Sequence, residues 1–224
     1  MAKEMFETIY KEIFPFWEEI SEDDKEYICQ NSSAVTYRKG TTVHDASDCS
    51  GVILVKNGCL RLYMMSEDGK DITLCRLHEG DLCVLSASCV FRTITFDVFV
   101  DAEEDSVCFN ISGPAFASIA DRNDHIKIYT LETALSRFSD VMWVMQQILF
   151  MSLDKRLAIF LLDEIARTGS DTVSLTHEQI AKYMGSAREV VSRMLKYFSN
   201  EKLVEVSRKG VKVIDKKRLR QLIQ

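Results

Sequence analysis

Four hydrogen-bonding side chains lie within six residues in the C-terminal part of the chain: Arg188, Glu189, Ser192 and Arg193. On an α-helix this spacing places all four on one face. Arginine can donate two hydrogen bonds to guanine O6 and N7, and glutamate can accept one from the cytosine amino group. The chemistry predicted for this face is the recognition of base edges in the major groove of DNA.

A helix-turn-helix is the element that would position these side chains. Thr176 and Gln179 match the S/T-x-x-E/Q capping box, which predicts the start of a first helix. Ser186 and Glu189 match a second box ten residues later, so a recognition helix is expected around residues 186–199. Gly185 lies between the two helices, where a tight turn requires a residue without Cβ.

The apolar residues of this segment follow the period of a helix that buries one side. They recur at i, i+3, i+4 and i+7: Val191, Met194, Leu195 and Phe198. An ordinary helical hairpin with a solvated charged face would also explain the caps and this stripe. It would not explain why Ala181, Gly185 and Val191 occupy the three positions that the motif restricts, so DNA binding is favoured.

The charge of the chain is distributed unevenly. The formal net charge is −6, but residues 1–150 carry −12 and residues 151–224 carry +6. An acidic first part and a basic last part fit a protein in which only the last part meets phosphates.

A β-rich stretch precedes the basic part, from about Ala34 to Asn110. Short runs such as GVILVKNG and DITLCRLHEGD are separated by turn dipeptides such as Asn57-Gly58 and Asp68-Gly69. Such runs predict a small antiparallel barrel or roll. The fold class expected is therefore α+β, with an N-terminal antiparallel β-roll of the jelly-roll type (a double-stranded β-helix). Three parts are expected: residues 1–120, 121–150 and 151–224.

A long helix is expected from about residue 123 to 149. Its apolar residues alternate steps of three and four through three heptads, which is the a/d seam of a two-stranded coiled coil. The seam residues are Ile128, Leu131, Leu135, Phe138, Met142, Met145 and Leu149. A helix packed on its own β-domain is the alternative, and both can hold, because Trp143, Val144 and Ile148 lie outside the seam.

The last part is predicted to be a winged helix. A helix over 153–168 precedes the helix-turn-helix, and strands at 203–206 and 211–214 would form a hairpin through Ser-Arg-Lys-Gly at 207–210. Asp215 would cap a short basic last helix. Arg208, Lys209 and Lys212 on the hairpin are suited to phosphate contacts.

Composition excludes some classes of protein. No run of about 18 uncharged apolar residues is present, and the first residues lack the pattern of a signal peptide. Seven cysteines without regular spacing suggest reduced thiols, so a cytoplasmic protein is expected.

In this order, a β-roll, a dimerising helix and a winged helix resemble the Crp/Fnr superfamily of bacterial transcription regulators. The resemblance covers most of the chain and is strongest at GSAREVVSR, residues 185–193. It implies that Arg188, Glu189 and Arg193 contact bases, with Ser192 beside them as in the Fnr branch. It also implies phosphate contacts from His177 and Ser186. Lys196 is a further candidate for a phosphate contact, because it lies on the same helix face as Arg193.

Departures from the family pattern argue against two of its known signals. The segment that holds ribose and phosphate in the cyclic-nucleotide branch reads Leu82-Cys83-Val84-Leu85-Ser86 here, without glutamate. The arginine–serine phosphate clamp corresponds to Phe96-Asp97, although Arg92-Thr93 lies nearby as an alternative. A carboxylate there would repel phosphate, so cyclic AMP is not expected. Only Cys29 precedes the roll, so an N-terminal iron–sulfur cluster is not expected either.

The expected effector is a small organic molecule, apolar or aromatic, in a pocket lined by Val84, Leu85, Ser86, Phe96 and Asp97. A redox or soft-metal sensor is a second possibility, and the roll cysteines it would use are Cys75, Cys83, Cys89 and Cys108. A core role for these thiols is favoured, and no metal site is predicted. A haem sensor using His44 or His78 is a third.

Two other classes of function are less compatible with the sequence. A cupin-like metal enzyme needs closely spaced histidines, whereas the four histidines are scattered singly, so no catalytic residues are predicted. A ligand-binding module that acts only on a protein partner would not need the basic hairpin. The partners expected are palindromic double-stranded DNA, a second copy of the chain and RNA polymerase, without a membrane.

Overall fold

A computed structural model describes residues 2–45, 50–86 and 97–223. The chain divides into two compact units: residues 1–69 with 74–141, and residues 70–73 with 142–224. The first contains a β-roll with flanking helices, and the second contains a winged helix-turn-helix, joined through one long helix. The predicted fold class is confirmed.

Helices precede the roll in the first unit. They are α1 (Ala2–Ile13), a short 3-10 turn (Trp17–Glu19) and α2 (Glu22–Gln30). Ser21 caps α2, because its hydroxyl accepts a hydrogen bond of 3.1 Å from the backbone N–H of Asp24. The aromatic residues of α1 and the 3-10 turn are buried, so these helices form part of the core.

The described strands of the roll form two four-stranded sheets. They are β1 (Ser32–Tyr37), β2 (Thr42–His44), β3 (Val52–Asn57), β4 (Leu60–Met65), β5 (Asp71–Leu77), β6 (Leu82–Cys83), β7 (Phe99–Ala102) and β8 (Ser106–Ile111). One sheet has the order β1-β8-β3-β6 and the other β2-β7-β4-β5. Pairing is antiparallel between β3 and β8 and between β4 and β7.

Strand β3 shows how two core layers arise from one strand. Successive side chains of a strand point to opposite faces of its sheet. Val52 and Leu54 pack with the aromatic residues of the N-terminal helices, whereas Ile53 and Val55 pack with residues of the second sheet such as Leu62. All of these side chains are buried, which explains the nearly continuous apolar run of this strand.

A long helix, α4 (Asp124–Phe150), follows the short helix α3 (Gly113–Arg122). The side-chain oxygen of Asn123 accepts hydrogen bonds from the backbone N–H groups of His125 (3.1 Å) and Ile126 (3.3 Å). Asn123 therefore caps α4, which begins one residue later than predicted and spans 27 residues.

The second unit contains four helices after α4 and a small three-stranded sheet within its described residues. Its elements are α5 (Leu153–Thr168), β9 (Thr172–Val173), α6 (His177–Met184), α7 (Arg188–Asn200), β10 (Val204–Ser207), β11 (Gly210–Val213) and α8 (Lys216–Ile223). The sheet order is β10-β11-β9. The predicted hairpin is present, but each strand is displaced by one residue and only Arg208 and Lys209 form the turn. Asp215 caps α8, since its carboxylate accepts from the N–H of Arg218 at 3.0 Å.

No helix in the described ranges combines the length and the hydropathy that a bilayer-spanning segment requires.

Candidate DNA interface

Helix α6 begins at the predicted capping box. The backbone N–H of Gln179 donates to the Thr176 hydroxyl at 3.1 Å, and the backbone N–H of Thr176 donates to the Gln179 side-chain oxygen at 2.9 Å. Both bonds of the box are present, so the prediction is confirmed. The box fixes His177 as the first residue of α6.

The turn between α6 and α7 depends on Gly185, which has φ +56°. The N–H of Ser186 donates to the carbonyl of Ala181 at 2.9 Å, and the N–H of Gly185 donates to that of Lys182 at 3.3 Å. A left-handed residue that carries Cβ costs roughly 1–2 kcal/mol. Glycine is therefore the residue that this turn favours, as the sequence indicated.

The second capping box predicted at Ser186 and Glu189 is wrong. The N-cap of α7 is Ala187, with φ −85° and ψ 144°, and no side chain caps this helix. Because Ser186 closes the turn through its own N–H, one further extended residue is needed before the helix can begin. Arg188 and Glu189 consequently lie in the first turn of α7, the end that inserts base-contacting residues in helix-turn-helix proteins.

The apolar side of α7 fastens the helix to its unit. Val191, Leu195 and Phe198 are fully buried, together with Ala181 and Ile180 of α6. Met194 is half-buried against the same cluster. The predicted apolar stripe is confirmed, and it directs the opposite side of α7 to solvent.

The polar side of α7 is largely exposed to solvent. Arg188, Glu189, Arg193 and Lys196 are exposed, and within the described part of the chain none of them makes a side-chain hydrogen bond or ion pair. Ser192 differs. It is half-buried, and its Oγ lies 2.8 Å from Nδ1 of His177. Sequence reasoning assigned these two residues separately and missed the contact, although both were candidates.

The wing carries two of its candidate cations at its turn. Arg208 and Lys209 are exposed between β10 and β11. Gly210 has φ +126°, and a Cβ there would lie 2.1 Å from the carbonyl oxygen of Val173, so only glycine lets the wing pack on β9. Lys212 is also exposed, but it lies directly opposite Glu205 in the register. Its charge is therefore partly offset by a neighbour.

The candidate effector residues occupy different environments. Val84 is buried with the N-terminal helices, and Leu85 packs against the core between the two sheets. Ser86 is fully buried, and its hydroxyl donates to the carbonyl of Gly51 at 2.8 Å. Asp97 is exposed. Phe96 lies outside the described residues, as do Arg92 and Thr93.

The described roll cysteines have the surroundings of core residues. Burial raises the pKa of Cys75 to about 12 and that of Cys108 to about 11, and it raises the pKa of Cys83 as well. Cys89 lies outside the described residues. Because the thiolate is the reactive form, these raised pKa values disfavour redox chemistry at neutral pH.

The two roll histidines are also engaged. His44 is buried, with Nδ1 2.8 Å from the hydroxyl of Ser50, and burial lowers its pKa. His78 is half-buried in the turn after β5, where its backbone N–H donates to the Asp81 carboxylate at 2.8 Å.

Arg137 is a residue that the sequence reasoning overlooked. It lies on α4 with its side chain only 16% exposed, and it forms ion pairs with Asp81 of the roll (3.1 Å) and Asp140 (3.2 Å). Its Nε is buried without a hydrogen-bond partner. The signal in the sequence was an arginine between two seam residues, Leu135 and Phe138, which reads equally well as a solvated position.

The predicted seam residues of α4 are all exposed on the single chain. The exposed fractions range from 42% for Met142 to 67% for Leu135, with Phe138 at 60% and Leu149 at 61%. Other residues of α4, including Ile126 and Tyr129, pack into the core of the first unit. Packing of α4 on its own β-domain therefore holds for one face of the helix, whereas pairing through the heptad face stays a prediction, and that face is uncovered in the single chain.

Together, the roll, the long helix and the unpaired side chains of α7 define a DNA-binding regulator. Residues 34–123 match the model of the cyclic nucleotide-binding domain, and residues 155–222 match that of the Crp-like helix-turn-helix domain. A solved structure from Eubacterium rectale, described as a Crp/Fnr-family transcriptional regulator, has 43% identity to the chain. It covers 95% of this chain and 99% of its own, with a TM-score of 0.90.

More distant relatives extend the same likeness. A transcriptional regulator named flp, from Lacticaseibacillus casei, is 23% identical over 91% of this chain and 93% of its own length. The fold is also shared with the c-di-GMP-responsive regulator CLP of Xanthomonas campestris, which is 17% identical. That structure has a TM-score of 0.73 and covers 87% of this chain and 100% of its own. The chain belongs to the Crp/Fnr family of transcription regulators, and its relatives are regulators rather than enzymes.

Proposed function

We propose that two copies of this regulator pair through the seam of α4 and bind an inverted-repeat operator in double-stranded DNA. The observation that carries the proposal is the row of seven large apolar side chains left exposed along one side of α4. Residues 1–120 would sense an effector, 121–150 would dimerise, and 151–224 would bind DNA.

A second copy of α4 fits this seam better than another partner does. The steps of three and four match the packing of two helices in a coiled coil. From Ile128 to Leu149 the seam runs for about 32 Å at the rise of an α-helix. Exposed leucine and phenylalanine in such a continuous row are costly in water, and an identical helix covers them with the same row.

Base recognition is proposed for the polar side of α7. Arg188 and Arg193 would donate to guanine, and Glu189 would accept from cytosine, with Ser192 contacting a neighbouring base. Within the described residues, Arg188, Glu189 and Arg193 have no intramolecular side-chain partner, which supports this assignment, because none of their bonds has to be broken before DNA is bound.

Phosphate contacts would fix the register of α7 in the groove. The residues proposed for them are His177, Ser186, Lys196, Arg208, Lys209 and Lys212. Of these, Lys212 is expected to contribute least, since Glu205 lies opposite. Each lost contact would weaken binding to all sequences alike and reduce its salt dependence.

The input is proposed to be a small molecule other than cyclic AMP, bound by the roll near Val84, Leu85, Ser86, Phe96 and Asp97. Its binding would shift α4 relative to the roll and so change the spacing of the two recognition helices. Arg137 supports this route, because its ion pair with Asp81 links α4 directly to the strand end that precedes the pocket segment. RNA polymerase would be the downstream partner.

Selection from randomised DNA duplexes tests the proposal. The expected product is an inverted repeat whose half-sites are centred about 34 Å apart, one helical turn. Light scattering of the complex should give two protein copies per duplex. Enrichment of a single half-site bound by one copy, or of no sequence, would contradict the proposal.

A further inference from the structure

We infer that His177 sets the hydrogen-bond polarity of Ser192, so that Ser192 recognises an exocyclic amino group on a base rather than a keto oxygen. The inference rests on the proposed function, in which α7 contacts bases and His177 contacts phosphate. It adds a rule of specificity that the position of Ser192 alone does not provide.

The two side chains are held together by well-defined backbone. His177 is the first residue of α6, directly after the N-cap Thr176, and Ser192 is the fifth residue of α7. Nδ1 of His177 lies 2.8 Å from Oγ of Ser192, and both side chains are half-buried. Buried Ile180 and Val191 pack the two helices into one cluster close to this pair.

The direction of this hydrogen bond follows from what each group can donate. A neutral imidazole carries one N–H, on either Nδ1 or Nε2. Phosphate oxygen only accepts, so a phosphate contact at His177 requires the proton on Nε2. Nδ1 then has no hydrogen and must accept. The donor between the two is therefore the hydroxyl of Ser192.

A hydroxyl has one hydrogen, and the hydroxyl of Ser192 donates it to Nδ1 of His177. Oγ of Ser192 keeps its lone pairs and faces a base as an acceptor only. In the major groove the exocyclic amino groups, N6 of adenine and N4 of cytosine, are the donors that such an oxygen can bind. Guanine O6 and thymine O4 are acceptors and would be left without a bond.

Because every base pair has both an amino and a keto group in the major groove, the test deletes single functional groups. The duplex is the operator obtained by selection, and Ser192→Ala identifies the base pair that Ser192 contacts. At that pair, adenine is replaced by purine or cytosine by 2-pyrimidinone, which removes the amino group. In separate duplexes, the keto oxygen of the partner base is removed. Both half-sites are changed, and binding is measured at pH 8.

For the parent protein, removing the amino group should weaken binding roughly tenfold, as expected for one hydrogen bond per half-site. Removing the keto oxygen should have little effect. Ser192→Ala should be insensitive to either deletion, which also corrects for changes in duplex stability.

His177→Ala and Lys209→Ala separate positioning from phosphate binding. His177→Ala frees the hydroxyl to donate or accept, so the amino dependence should fall and a keto dependence should appear. Lys209→Ala removes a proposed phosphate contact from the wing, and should lower affinity while keeping the dependence on the amino group. Unchanged specificity at pairs contacted by Arg193 shows that each variant is folded.

Three results would overturn the inference. The parent could depend on the keto oxygen, Ser192→Ala could leave specificity unchanged at every pair, or His177→Ala could lower affinity uniformly as Lys209→Ala does. If selection enriches no sequence, the proposed function itself has failed, and that result is distinguishable because it precedes every variant.

Discussion

The roll and helix α7 differ in whether their polar side chains have partners within the described chain. In the first unit they are paired internally: His44 with Ser50, Ser86 with the carbonyl of Gly51, and Arg137 with Asp81. In the second unit, the charged side chains on the first two turns of α7 extend into solvent, with no partner in the described chain.

This difference indicates where a conformational change has to occur. If α7 binds DNA as proposed, Arg188, Glu189 and Arg193 would exchange only water for DNA, without first losing a bond within the described chain. A ligand in the roll has to compete with bonds that already exist, and replacing them requires side chains or strands to move. Under the proposed function, the signal would originate in the roll, where these polar groups are already bonded, and would be read out by side chains of α7 that have no such bonds.

The largest effect is expected from a substitution that would keep two copies of α4 apart. Leu135→Glu places a carboxylate in the middle of the exposed seam. If two copies pair there, burying two unpaired like charges should cost roughly 3 kcal/mol or more. The self-association constant should fall at least about 100-fold, and operator binding should fall with it. Sedimentation equilibrium and gel-shift titration measure the two effects.

Ser136→Glu is the matched control for this variant. It adds the same charge to the next residue of α4, which is exposed and outside the heptad seam. It should remain dimeric. Equal behaviour of the two variants would show that the seam is not the dimer interface.

Arg193→Ala tests whether the open side chains of α7 carry specificity. The expected loss is about 1–3 kcal/mol per half-site, confined to operator DNA. Binding to unrelated DNA should change much less, and competition titration measures both. Arg220→Ala removes the same charge from α8, which contacts α5, and should leave the preference for the operator intact. A uniform loss for Arg193→Ala would place this residue at phosphate.

Regular patterns in the sequence were enough to predict the second unit. Three local features indicated it: the capping box of α6, the glycine turn and the apolar stripe of α7. Each needs particular residue types at fixed spacing, so few other sequences would match. Ser186 shows the limit of such motifs, because the same S-x-x-E pattern lies where the turn already uses Ser186 for its own closure. The motif alone does not show whether the backbone N–H of Ser186 will close the turn after α6 or take part in the cap of α7.

The site in the roll was much harder to predict. Ser86 and Arg137 are polar residues whose roles depend on contacts 35 and 56 residues away along the chain. Contacts between residues so far apart in the chain leave no periodic pattern in the sequence. The heptad pattern of α4 could be recognised because its apolar positions recur through three heptads, whereas Arg137 makes its contacts at a single position.

Thr176→Ala is expected to have a smaller effect, on the stability of the start of α6, which belongs to the proposed DNA-binding surface. Losing the side-chain half of the capping box should cost about 1 kcal/mol of helix stability. Amide hydrogen exchange at the start of α6, measured by mass spectrometry, should therefore be faster in this variant. Ser174→Ala is the control, since Ser174 is exposed and makes no side-chain hydrogen bond among the described residues. Equal exchange in both variants would mean that the box does not hold α6.

The smallest effect expected is an acid sensitivity of the roll that the DNA-binding surface does not share. Burial lowers the pKa of His44 in the folded chain, and the weaker field of Asp45 opposes this. The unfolded chain therefore binds a proton at higher pH than the folded chain does. Neutral, buried His44 contributes its full stabilisation above the pKa that His44 has in the unfolded chain. This stabilisation is lost as the pH falls through the lower pKa of His44 in the folded chain.

Hydrogen exchange of β2 and β7, measured between pH 7 and 5 and corrected for intrinsic rates, should show this loss. His44→Gln should remove the pH-dependent part, whereas His125→Gln, which changes an exposed histidine on α4, should keep it. Protection in α6 and α7 should not follow the same curve. If it does, acid acts on both units at once, and the contrast between a satisfied roll and an open recognition helix does not extend to their stability.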